Sequence, residues 1–107
     1  MRYADIILMK AEALNESGGA GAAIELNKVR LRAKLVPTTA TTQADLRTVI
    51  MNERRKELGF EFHRFFDLMR WGQNVAVAAL GPNFKWNNPR FYYPIPQTEL
   101  DTNSALK

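Results

Sequence analysis

Apolar side chains recur at helical spacing from the start of the chain. Tyr3, Ile6, Ile7, Ala11 and Leu14 share one side of a helix, and the pattern predicts a first helix of about fifteen residues. Ser17-Gly18-Gly19 follows, and it ends that helix because glycine accepts the left-handed conformation just past a C-terminus. A second helix is predicted over roughly residues 20–34, with Ala23, Ile24, Leu26 and Leu31 among its apolar positions. It stops ahead of Pro37, which disfavours the α region at Val36. The short glycine linker makes the two an antiparallel helical hairpin. "PTTATT" is then a loop, and Thr42 caps a third helix with Asp45 three residues on, in the relation of a capping box.

The third helix is expected to be long, running through "NERRKELGFEFHRFFDLMRWG" to Trp71. At about 100° per residue, Met51, Leu58, Phe62, Phe65, Phe66 and Met69 fall in one stripe, which is expected to face the core. Leu46, Val49, Ile50, Phe60, Leu68 and Trp71 fall nearly opposite, with Glu53, Glu57, Arg64 and Asp67 among them. A helix apolar on two faces is sandwiched between partners, so some of its charges are expected to be buried. It also needs more neighbours than one hairpin supplies, so the chain alone is expected to be marginal or oligomeric.

Past Gly72 the pattern weakens. "NVAVAAL" reads as a short helix, "GPNFKWNNPR" as irregular loop, and "FYYPIP" as a short extended piece, because its prolines cannot donate to a ladder. "QTELDTNSALK" offers nothing periodic. The fold class expected from these elements is all-α: a helical hairpin and a long third helix, tetratricopeptide-like, followed by an irregular loop and a short extended segment. No second copy of the hairpin unit is present.

The chain has 107 residues, of which 46% are hydrophobic, enough for one globular domain. It has no Cys and one His, which removes disulfides, thiolate nucleophiles and most zinc sites. No apolar run is long enough to span a membrane and no leader opens the chain. The net charge of +4 is mild, with 15 basic against 11 acidic residues largely interleaved. The exception is "KVRLRAK", where Lys28 with Arg32 and Arg30 with Lys34 form two i,i+4 pairs. Such a patch can meet phosphates. A solvated helix face is the commoner meaning of a short charge cluster, and no nucleic-acid partner is expected.

Buried charges need partners, because an unpaired one costs several kcal/mol. On the third helix, Arg64 reaches Glu61 and Asp67, His63 reaches Asp67, and Arg54 reaches Glu57; Arg2 and Glu12 join from the first helix. Glu53 and Glu57 could instead form a carboxylate pair for glycoside hydrolysis. Arg54, Arg55 and Lys56 lie between them and favour the charged form of both, whereas a general acid must hold its proton. A metal at Glu57, Glu61 and His63 fails on geometry, since His63 stands about 120° from Glu57 on the helix. The expectation is a structural ion network of Arg2, Glu12, Glu53, Arg54, Glu57, Arg64 and Asp67, with no catalytic residue, no metal and no cofactor.

With these residues in place the chain resembles the C-terminal region of the SusD/RagB family of nutrient-binding outer-membrane lipoproteins. The resemblance runs in order through "RYADIILMKAEALNESGG", "AIELNKVRLRA", "NERRKELGFEFHRFFDLMRWG" and "YYPIPQTELDTN", nearly the whole chain. It departs at Phe62, where family members usually carry Gly in an "FEG" segment, and at "TNSAL", which replaces a common Asn-Pro ending. The resemblance implies a helical, tetratricopeptide-like fold and a non-catalytic role. It implies binding of an oligosaccharide or other nutrient at the cell surface, beside a SusC-like TonB-dependent transporter. Family members are several hundred residues long and start with a signal peptide and a lipid-bearing Cys. The chain is therefore expected to be a C-terminal fragment, attached to the outer membrane only through an N-terminal lipid anchor that it lacks.

The family's sugar-contacting residues vary and lie largely outside this region. Within it, Trp86, Asn87, Asn88 and Arg90 of "NFKWNNPR" are the candidate ligand contacts, an aromatic face beside amides and a cation that reach hydroxyls. The plainer reading of Trp86 is an anchor that packs its loop. The rival function is a helical-repeat scaffold that binds a peptide or protein.

Overall fold

The computed structural model describes residues 1–81, 95–103 and 105. They form α1 (Tyr3–Glu16), α2 (Ala22–Arg32), α3 (Gln43–Glu57), α4 (His63–Trp71), α5 (Gln73–Leu80) and α6 (Gln97–Thr102), with no strand among the described residues. The all-α class and the opening hairpin are as the sequence indicates. The chain divides into two compact units, Met1–Arg64 and Phe65–Lys107.

In the first unit, α1 packs against α2 and α3, and α2 meets α3 over a smaller contact. The core is Ala4, Ile7, Leu8 and Ala11 of α1, Ala22, Leu26 and Val29 of α2, and Leu46 and Ile50 of α3. Leu8, Leu26, Ile50 and Val29 are fully buried, each contributing about 1.5–3 kcal/mol relative to exposure. The outer stripe of the hairpin, Tyr3, Ile6, Ile24 and Leu31, is exposed. Ala4, Ala11 and Ala22 share the inner faces with Ile7, Leu8, Leu26 and Val29.

Local chemistry sets the helix ends. After α1, the Gly19 N–H donates to the Leu14 carbonyl at 2.8 Å and the Gly18 N–H to the Asn15 carbonyl at 3.3 Å, a Schellman closure with Gly18 at φ 71°. The same closure ends α2 with a lysine in glycine's place: Lys34 sits at φ 57° while the Leu35 N–H reaches the Arg30 carbonyl at 2.9 Å. At α3, the Thr42 hydroxyl oxygen accepts from the Asp45 N–H at 3.1 Å and its O–H donates to Asp45 Oδ2 at 2.7 Å, the cap expected from the sequence.

The long third helix is corrected. α3 stops at Glu57 and α4 starts at His63, because Phe60 and Phe62 both adopt left-handed backbone, φ 64° and 63°, which no α-helix accommodates. Position 62 is where the resembled family usually has Gly, and its backbone is the kind glycine tolerates. The break also undoes the continuous wheel. Phe62, Phe65 and Phe66, expected in the core, are exposed, as is Phe60, whereas Leu46, Ile50, Leu58 and Leu68 are buried.

In the second unit, the rest of α4 buries Asp67 and Leu68, Phe65 and Phe66 meet edge to face at 5.6 Å, and α5 buries Ala76. Gly72, at φ 99°, separates α4 from α5. The short helix expected from "NVAVAAL" is α5. The last segment, in which the sequence shows nothing periodic, carries α6, where Gln97 donates to Asp101 at 2.8 Å. The expected irregular loop after Gly81, and all of the extended segment but its last two residues, lie outside the described residues.

Candidate functional site

The buried face of α3 changes character along its length, from Leu46 and Ile50 to Glu53 and Arg54. All four sit at i, i+4, i+7 and i+8, so one stripe carries both the apolar core and an ion network. Each charge in that stretch meets a partner from another helix. Arg54 Nη1 donates to Asp5 Oδ1 at 2.9 Å, with both residues 3% exposed. Arg30 Nη1 donates to Glu53 Oε2 at 2.7 Å. Glu57 receives Arg2 Nη1 at 3.0 Å on a side-chain oxygen, and its carbonyl receives Arg2 Nη2 at 2.7 Å. Arg32 Nη2 binds the same Glu57 oxygen as Arg2. Arg2 Nε completes the clamp on Glu61 Oε2 at 2.9 Å, so one guanidinium closes the C-terminal end of α3. The hydrogen bond that Arg2 donates to Glu61 first, then that to Glu57, raises the pKa of Arg2, and the bond from Arg2 lowers that of Glu61.

At the other end of the α1–α3 pair, Asn15 Nδ2 donates to the Gln43 carbonyl at 3.0 Å and Gln43 Nε2 to the Asn15 carbonyl at 2.8 Å. Arg47 pairs with Glu16 beside this latch and lowers its pKa. Pairing 15 with 43, 5 with 54 and 2 with 57 is the register of two antiparallel helices, so these contacts fix how far α3 slides along α1. Across the hairpin, Glu25 lies between Lys10 and Lys28 at 2.8 Å from each. Their hydrogen bonds, that from Lys10 first, hold its carboxyl below the usual range.

Of the residues expected in the network, Arg2, Glu53, Arg54 and Glu57 come together in the first unit, while Asp67 binds Arg70 at 3.0 Å on α4. Glu12 and Arg64 are half-buried on α1 and at the start of α4. The contacts described above for Arg2, Glu53, Arg54 and Glu57 cross between helices or out to the α3–α4 turn. Sequence reasoning missed Asp5, Asn15, Glu25 and Arg30. A signal existed for the first two: Asp5 and Asn15 fall in the same helical stripe as Leu8 and Ala11, and a polar residue there is buried and paired. The expected ligand contacts Trp86, Asn87, Asn88 and Arg90 lie outside the described residues.

A groove of roughly 370 Å³ runs between α1 and α2, with Ala4, Ile7 and Val29 as floor and Tyr3, Arg2, Lys28 and Arg32 on its sides. Its cations carry little spare attraction for an anion: Arg2 and Arg32 bind Glu57, and Lys28 binds Glu25. Arg30 is likewise engaged with Glu53, so three of the four cations of the "KVRLRAK" stretch, Lys28, Arg30 and Arg32, each face a carboxylate of this chain. The same pairing bears on Glu53 and Glu57, whose oxygens face guanidinium groups. Among the described residues no group of three His, Asp or Glu side chains is placed to hold a metal ion, and no helix is long and apolar enough to cross a membrane.

The sequence profile of the SusD family matches residues 1–83. The chain is similar to SusD-like protein P2 of Formosa agariphila, with 37% identity over 122 residues that cover 99% of this chain and 24% of that protein. SusD-like protein P25 of the same organism shares 37% identity over 116 residues, 98% of this chain and 22% of its own length. SusD-like protein P38 matches at 37% over 99% of this chain and 23% of its own length. The chain thus spans about a quarter of the length of these curated relatives. No solved structure gives a significant match.

Proposed function

The chain belongs to the SusD family, and from that premise we propose that it is the C-terminal helical region of a longer, non-catalytic protein that binds an oligosaccharide or similar nutrient at the bacterial outer-membrane surface. Its partner in uptake is a SusC-like TonB-dependent transporter, and its hold on the membrane is a lipid anchor outside these residues. The observation that carries this reading is the family match over residues 1–83, joined by 37% identity to SusD-like proteins along 99% of the chain. The pairing of Glu53 with Arg30 and of Glu57 with Arg2 and Arg32 supports a binding rather than a catalytic role. In this reading Arg2, Glu12, Glu53, Arg54, Glu57, Arg64 and Asp67 are scaffold, and Trp86, Asn87, Asn88 and Arg90 are the ligand contacts of this region.

Titration calorimetry of the complete protein with defined oligosaccharides tests it. Saturable binding of at least one glycan, weakened by Trp86→Ala at unchanged melting temperature, is the expected result. Binding that survives Trp86→Ala while the melting temperature falls would make Trp86 a packing residue and move the site elsewhere. Absence of binding across the panel, with capture of a helical peptide instead, would favour the scaffold reading.

A further inference from the structure

The turn between α3 and α4 is held over residues 57–61. Leu58 is buried at its start, and Arg2 binds Glu57 and Glu61 across it. Phe60, between Leu58 and Glu61, and Phe62, directly after Glu61, lie at φ 64° and 63°, with Phe60 fully exposed and Phe62 92% exposed. Left-handed backbone is unfavourable for both, and neither ring gains burial among the described residues in return. Strain that persists because the surroundings over-determine it points to a contact made elsewhere.

The chemistry of the turn narrows the occupant. Glu61 already engages Arg2 through both carboxylate oxygens, which leaves little to meet a sugar's hydroxyls, so the rings suit an apolar socket. Arg55 and Lys56 are exposed at the adjoining end of α3. Two copies joined symmetrically through this turn would set those cations against themselves, which like-charge repulsion opposes.

We infer that Phe60 and Phe62 are docking prongs that fill an apolar socket with an acidic rim, built by a segment of the same polypeptide outside these 107 residues. This rests on the reading of the chain as one region of a longer protein, in line with relatives of which it spans about a quarter. The docking contact stabilises the whole, and the left-handed turn is strained until it forms.

Hydroxyl-radical footprinting read by mass spectrometry, on this chain and on the longer gene product that contains it, tests the inference. Oxidation of Phe60 and Phe62 is expected to fall about tenfold in the longer polypeptide, as exposed rings take on core-like accessibility. Phe62→Gly supplies a second readout with opposite signs. It should raise the melting temperature of this chain, where it relieves strain, and lower that of the longer polypeptide, where it removes a prong. Equal oxidation in both, or a shift of the same sign in both, would overturn the inference. Concentration-dependent protection in this chain alone would overturn it in favour of a second copy. A gene product with no further residues would instead remove the longer-protein reading, a result distinct from unprotected rings in a long one.

Discussion

Removing Arg54 should unfold the first unit more than any apolar truncation of similar size. Arg54 and Asp5 are each 3% exposed and joined at 2.9 Å. Arg54→Leu fills much of the same volume but leaves the Asp5 carboxylate buried without that cation, and breaking a buried pair in this way costs about 3–5 kcal/mol. Asp5→Leu takes this carboxylate from the guanidinium and also removes an acid from the first turn of α1, a further ~0.3–1 kcal/mol. The double variant removes both members of the pair. Replacing a whole buried pair by apolar groups is often neutral or stabilising, so the double variant should lie within about 1–2 kcal/mol of the parent. The cycle therefore predicts a coupling of at least ~3 kcal/mol, with the double variant more stable than either single one. Urea titrations followed by circular dichroism at 222 nm measure all four proteins. For a unit of this size a loss of ~3 kcal/mol corresponds to roughly 12–24 °C in Tm. An Arg54→Leu variant less than about 1 kcal/mol below the parent, or a double variant worse than both single ones, would refute the assignment of this pair as a buried structural bridge.

Lys34→Gly should stabilise the chain by about 0.5–1 kcal/mol, since an L residue in the left-handed region loses roughly 1–2 kcal/mol and glycine's extra unfolded freedom returns part of it; a lower Tm would show that the Lys34 side chain contributes more than the strain at φ 57°. Thr42→Ala removes the cap on the Asp45 N–H and should cost about 1 kcal/mol in chemical denaturation, whereas Thr42→Asn should be nearly neutral. Glu16, Glu25 and Glu61 all have pKa values below the ordinary 4.5 because of their basic partners. With the folded value depressed, the unfolded chain binds the extra proton first, so their stabilisation is present above pH 4.5 and is lost as pH falls through the folded values. Urea midpoints measured through the carboxylate range should fall with acid, less steeply in Glu25→Gln; an unchanged slope in that variant would remove Glu25 from the account.

Much of the first unit was legible because its signals are local. Gly18 and Gly19 end α1, Pro37 follows α2, and Thr42 with Asp45 starts α3 whatever else the chain does, since each acts on backbone within a few residues. The family was legible for a related reason: ordered motifs survive as sequence. The break at Phe60 and Phe62 was not legible from periodicity, because the apolar spacing through residues 51–71 continues unbroken and phenylalanine is not a helix breaker. Gly59, directly before Phe60, and the resembled family's Gly at position 62 were the hints of a break there. Which face of each helix turns inward was also settled in three dimensions. Ile7, Leu8, Leu26 and Val29 turn inward beside Ala4, Ala11 and Ala22 while Tyr3 and Ile24 stay outside, a choice that depends on how α1, α2 and α3 pack. The ion partners follow the same rule. Sequence spacing offers Arg54 a neighbour three positions away in Glu57, but the fold brings Asp5 from 49 positions away to 2.9 Å. A buried charge is stabilised by whatever group the packing places beside it, and that distance exists only once the helices have docked.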